Sequence, residues 1–115
     1  MESVLKSTSD IDVVYCENDN EAFGAIDAIK AAGKTYGKDG DIIIISFDST
    51  RQGLTRTLSG EINYNVECNP LHGPRVESII QQLEKGETPQ KIAYVDEVTF
   101  DCATITQEIV DARAY

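Results

Sequence analysis

The chain has 115 residues, 41% hydrophobic and 26% charged. These proportions suit one folded domain with a single small core and exclude a disordered or fibrous chain. Twenty acidic against ten basic residues leave a net charge of −10, which opposes a phosphate backbone or an anionic membrane surface, so no nucleic-acid partner is expected. No stretch approaches the roughly 18 apolar residues of a spanning helix. The opening Met1-Glu2-Ser3-Val4 lacks the basic and apolar regions of a signal peptide, so the chain as given is expected to carry no export address.

In chain order, residues 2–9 read as the end of a helix, and residues 11–16 as a short apolar strand closing on Cys16. Residues 21–32 place Ala22, Ala25, Ile26 and Ile29 on one helical stripe, with Asn20 as N-cap and Gly33 as C-cap. Residues 42–47, Ile-Ile-Ile-Ile-Ser-Phe, read as a strand covered on both faces. Residues 50–58 form a shorter helix with Leu54 and Leu58 facing inward, and residues 62–68 alternate as a third strand stopped by Asn69-Pro70. Val76, Ile79, Ile80 and Leu83 mark a helix over residues 73–85; a fourth strand over 92–100 and a terminal helix over 104–114 complete the pattern. The alternation predicts an α/β fold: a three-layer, Rossmann-like, mostly parallel sheet with helices on both faces.

In such sheets ligands bind outside the carboxyl ends of the strands. Three polar clusters fall there: Glu17, Asn18, Asp19 and Asn20 after the first strand, Asp48, Ser49 and Thr50 after the second, and Glu67, Cys68 and Asn69 after the third. Each sugar hydroxyl both donates and accepts, so carboxylates and amides gathered on one edge suit a polyhydroxylated ligand. The same residue types are also the preferred helix caps, which leaves capping alone as the competing explanation for any one cluster.

Other motifs fail. Gly33-Lys34-Thr35 resembles the tail of a phosphate loop, but Ala28 occupies the earlier glycine position and the triplet ends a helix instead of opening one. The run from Asn18 to Gly24 has Ala22 at a calcium-liganding position. His72 is the only histidine and reads as a turn residue. Cys16, Cys68 and Cys102 show no CxxC spacing and read as free thiols, mostly buried. No metal, no cofactor and no catalytic residue is expected.

The blocks YCENDNEAFGAIDAIKAAG, IIIISFDST and GEINYNVECNPLHGP, with the closing DARAY, resemble the C-terminal part of a periplasmic-type sugar-binding protein of the ribose and galactofuranose group. The resemblance runs along essentially the whole chain and matches less than half of a family member. It implies a partial lobe of the type I periplasmic binding protein fold: a single partial domain over residues 1–115, with hinge-crossing segments from about residue 69 to residue 100. It also implies a monosaccharide ligand, an ABC transporter permease as partner of the full-length protein, and an extracytoplasmic location for that protein. The family's sugar-binding asparagine falls on Asn18, with Asp19 beside it, and the aspartate of its Phe-Asp-Gly block falls on Asp48, where Ser49 replaces the glycine. A glutamine common before the family's proline is replaced by Cys68, while a Val-Glu pair of the galactofuranose-like subgroup matches Val66-Glu67. The implied ligand-binding set is therefore Asn18, Asp19, Asp48, Glu67 and Cys68.

Two other readings compete. A sugar-responsive transcription regulator shares the fold in its effector lobe, but would need a basic helix-turn-helix that the chain lacks. A receiver-like phosphoacceptor would set Asp48 beside Glu17, Asp19 and magnesium, and needs a lysine on that edge, whereas Lys91 falls at the opposite end of the fourth strand. A partial lobe also leaves apolar surface around residues 42–47 and 73–85 uncovered, so self-association is expected.

Overall fold

The computed structural model describes residues 1–115. Nine elements follow one another: α1 (Glu2–Ser7), β1 (Val13–Tyr15), α2 (Asp19–Ala31), β2 (Ile43–Asp48), α3 (Arg51–Leu58), β3 (Tyr64–Glu67), α4 (Gly73–Glu84), β4 (Thr99–Asp101) and α5 (Gln107–Asp111). The strands form one mixed sheet in the order β1-β2-β3-β4. The first three are parallel, with Val13 opposite Ile43 and Ser46 opposite Asn65, and β4 is antiparallel to β3, with Val66 opposite Thr99. No helix is long and apolar enough to cross a membrane.

The apolar stripe of α2 makes the main core. Ala22, Ala25, Ile26 and Ile29 pack with Cys16, Ile42, Ile44 and Ile62, and Met1, Leu5 and Ile11 close its edge. A second, smaller cluster joins Leu54 of α3 to Ile105 and Val110, flanked by Leu58 and Phe100. The α2 helix begins two residues earlier than the periodicity predicts because Asn18, not Asn20, is the N-cap, its Oδ1 accepting from the Glu21 N–H at 2.9 Å. Glu21 in turn accepts from the Glu17 N–H, a capping-box pattern displaced by one residue. The helix stops where Gly33 adopts a φ of 68°, beyond the C-cap Ala32.

The structure differs from the sequence reading in how the sheet is covered. Strand order advances in one direction from β1 to β3, and right-handed crossovers stepping one way lay their helices on the same face. α2 and α3 accordingly meet over Ser46 and Asn65, which are register partners on β2 and β3. The opposite face, carrying Val13, Tyr15, Ile43 and Tyr64, lies open within this chain. The isoleucine run from Ile42 into β2 thus has one face covered and one uncovered.

The second difference concerns residues 92–100. Only Thr99–Asp101 forms a strand, and it runs antiparallel. Ile92 and Tyr94 are exposed and have no sheet neighbour to pair with. Helix α4 stands where its periodicity puts it but buries none of its residues, with Val76, Ile80 and Leu83 all exposed. It stands outside both core clusters, in a chain whose overall extents are 60 × 33 × 16 Å.

Candidate functional site

Because β1, β2 and β3 are parallel, the three polar clusters share one edge of the sheet. They divide there into side chains turned inward and side chains left with unused polar atoms. Asp19, the first residue of α2, is 1% exposed. Its Oδ1 accepts from the Ser46 hydroxyl at 2.7 Å and the Asn65 amide at 2.8 Å, and its Oδ2 accepts from the Thr50 N–H at 2.8 Å and the Thr50 hydroxyl at 2.7 Å. Four donors saturate a carboxylate. The contact is close enough that a Cβ on Gly53 would come within 2.1 Å of Oδ2, so the first turn of α3 rests on this anion, as the helix dipole favours.

Glu67, the last residue of β3, is also turned inward. Its Oε1 accepts from Arg113 Nη1 and from the Tyr115 hydroxyl, both at 2.7 Å, and its Oε2 accepts from the Val98 N–H at 3.0 Å. Burial raises the Glu67 carboxyl, but the hydrogen bonds from Tyr115, Val98 and Arg113 and the Arg113 charge outweigh it and hold it below its ordinary value. The tyrosine answers in the opposite direction, pushed up to about 12 by burial and by its bond to Glu67. Glu67 thus ties β3 to the end of the chain.

Asn18 and Asp48 are different. Both are half-buried at the ends of neighbouring parallel strands. Asn18 spends its carbonyl oxygen on the helix cap and makes no hydrogen bond through its amide nitrogen. Asp48 has no hydrogen-bonded side-chain partner in the chain, and burial, then the nearby charge of Asp19, push its carboxyl upward, with the Asp19 backbone N–H offsetting part of the effect. Asp48 and Ser49 also carry positive φ angles of 92° and 53°, the only non-glycine residues that do so. Such backbone costs about 1–3 kcal/mol per residue and persists only where neighbours hold it. Asn65 Oδ1 accepts from both the N–H and the hydroxyl of Ser49, at 3.1 and 2.9 Å, and Arg113 Nε donates to the Ser49 carbonyl at 2.6 Å. Cys68 is an exposed free thiol on the same edge.

Of the five residues expected at the site, all lie on this edge, but Asp19 and Glu67 direct their oxygens into the protein. Ser46, Asn65, Arg113 and Tyr115, which hold the edge together, were not singled out from the sequence. The signal for the first two was a polar residue at an inward position of an apolar strand. Arg113 and Tyr115, 46 and 48 residues from Glu67, lie in the closing DARAY block, which carried the resemblance without giving either residue a role. No group of three or more His, Cys, Asp or Glu side chains is placed to hold a metal ion. With Asp19 saturated, the magnesium-and-phosphoacceptor arrangement loses one of its carboxylates.

The architecture is that of a lobe of the type I periplasmic binding protein fold: an open mixed sheet flanked by helices, with its polar edge at the strand carboxyl ends. No family profile matches the chain, but individual proteins do. The galactofuranose-binding protein of Escherichia coli is 32% identical over 113 residues, covering 95% of this chain and 35% of that protein. A Mycobacterium smegmatis protein solved with β-D-fucofuranose superposes with a TM-score of 0.81 at 41% identity, over 89% of this chain and 33% of that one. The binding component of the arabinose transporter of Shewanella sp. ANA-3, solved with L-arabinofuranose, gives 0.81 at 32% identity, over 90% and 34% of the two chains. Over nearly its whole length the chain is similar to a segment of sugar-import and sugar-binding proteins. It spans about a third of the length of the curated relatives it matches.

Proposed function

We propose that this chain supplies one wall of a monosaccharide-binding cleft in the substrate-binding component of an ABC importer, working outside the cytoplasmic membrane with a permease as partner. The supporting observation is the division of the carboxyl edge: Asn18 and Asp48, at the ends of neighbouring parallel strands, combine partial exposure with unused polar atoms, while Asp19 and Glu67 are turned inward. In this reading the Asn18 amide donates to one sugar hydroxyl and the Asp48 carboxylate accepts from others. Asp19 braces the edge beneath them, Glu67 fastens the end of the chain to β3, and Cys68 lies at the rim. The chain corresponds to the later part of the second lobe, with residues 69–100 leading across the hinge. Its role is binding and delivery without turnover. Furanose sugars are the first candidates, since two of the similar structures were solved with furanoses.

One wall gives weak binding. Each hydrogen bond contributes about 1 kcal/mol, and a wall offering two side chains without an opposing surface to exclude water leaves affinity at about the millimolar level. Calorimetry or NMR titration with D-ribose, D-fructose, L-arabinose and D-galactose tests this. A response at Asn18 and Asp48 that Asp48→Asn abolishes is expected. Saturable binding unaffected by that substitution would place the site elsewhere.

A further inference from the structure

We propose that Arg113 is a positioning residue for the sugar site, reaching from the last turn of the chain to hold the Asp48–Ser49 bend and so to aim the Asp48 carboxylate. The ligand half of this inference rests on the reading of Asp48 given above; the bend-holding half does not.

The geometry of the guanidinium carries the argument. An arginine serving only to neutralise Glu67 would set two parallel N–H groups against its two oxygens. Arg113 instead gives Glu67 a single bond from Nη1 to Oε1, and turns Nε to the Ser49 carbonyl at 2.6 Å. Splitting its donors in this way leaves Nη2 buried without a partner, an arrangement that costs stability and that a simple ion pair has no reason to adopt. The Ser49 carbonyl belongs to the second of two consecutive non-glycine residues at positive φ. Asn65 holds the N–H side of that residue and Arg113 holds the carbonyl side, so the unfavourable bend is gripped at both ends.

The arginine is itself held. Its guanidinium lies 4.3 Å from the centre of the Tyr115 ring and 5.3 Å from that of Phe100. Arg51 Nε donates to its carbonyl at 3.2 Å, and the Arg51 N–H donates to the Tyr115 carbonyl at 2.6 Å. The chain end is thereby fastened over the start of α3, directly after the bend. The site edge is completed by a residue 64 positions away from the serine it holds.

The test is NMR on the isotope-labelled chain, reading the three-bond amide couplings of Asp48 and Ser49, which report φ, in Arg113→Met, Arg113→Lys and Glu67→Gln. Arg113→Met is expected to move Ser49 out of its positive-φ conformation, and adding Ser49→Gly to restore the bend, because glycine adopts that conformation without strain. Glu67→Gln, which leaves Arg113 Nε on Ser49, is expected to keep the wild-type couplings even though it lowers stability. Should Arg113→Met fail to fold, Arg113→Lys is read instead, with partial relaxation at Ser49 expected. Unchanged couplings in the arginine variants, or equal relaxation in Glu67→Gln, would overturn the proposal. Titration of the same samples with D-fructose and L-arabinose is expected to show at least several-fold weaker binding after Arg113→Met. A wild-type chain giving no sugar response at Asp48 counts against the sugar site alone, because the couplings still decide what Arg113 does.

Discussion

Replacing Asp19 by asparagine keeps the shape of the side chain and changes only what it can accept. One amide oxygen still takes two donors, while the new NH2 group must face the other pair. Each pair contains one hydroxyl that can turn to accept, Ser46 or Thr50, and one group that can only donate, the Asn65 amide nitrogen or the Thr50 N–H. Flipping Asn65 gives no escape, because its oxygen already serves the N–H and hydroxyl of Ser49. Either orientation therefore strands one buried donor at about 1–3 kcal/mol, and the surviving bonds fall from charge-assisted to neutral strength. Asp19→Asn is expected to cost about 2–4 kcal/mol, a large share of the roughly 5–15 kcal/mol available to a domain. Urea denaturation followed by circular dichroism would register this as a midpoint lower by about 1–2 M. A loss within about 0.5 kcal/mol, the range of ordinary surface changes, would refute the reading of Asp19 as the bolt between α2, β2, β3 and α3.

The Glu67 and Tyr115 pair makes stability depend on pH at both extremes. A glutamate held below its ordinary value of 4.5 stabilises the fold fully above that value and loses its contribution as the pH falls through the lowered one, so the gap between wild type and Glu67→Gln should close on acidification below about 4.5. Tyr115, raised to about 12, works in the opposite sense: its contribution is intact below 10 and is lost as the pH rises through about 12, which Tyr115→Phe should show as a flatter alkaline limb in denaturation profiles. Asp48 is raised and unpaired, so its charge opposes folding near neutral pH; Asp48→Asn should hold or raise the thermal midpoint while removing the sugar response. Helix α4 and the open sheet face should drive concentration-dependent association, which light scattering would detect and which Ile80→Lys with Leu83→Lys should reduce.

The order of elements was legible in the sequence because period and turn chemistry are local. The four-isoleucine run, the α2 stripe from Ala22 to Ile29 and the glycine after it name their structures without help from distant residues. So was the edge on which polar residues gather, since parallel strands put their following loops together. What adjacent residues do on that edge was not legible. Asn18 and Asp19 are neighbours of similar size and polarity, yet one caps the helix with its amide free and the other is sealed in the interior, because Asn18 is the extended N-cap while Asp19 opens the first helical turn where the start of α3 packs over it. The open sheet face followed from strand order, the antiparallel β4 from pairing with Tyr64 to Val66, and the Arg113 contacts from a chain end that folds back across 46 to 64 residues. Hydrogen-bond partners separated by such distances leave no periodic trace, so sequence alone determined the scaffold and the edge where polar residues gather, and tertiary structure decided which of those side chains hold the edge and which keep unused polar atoms.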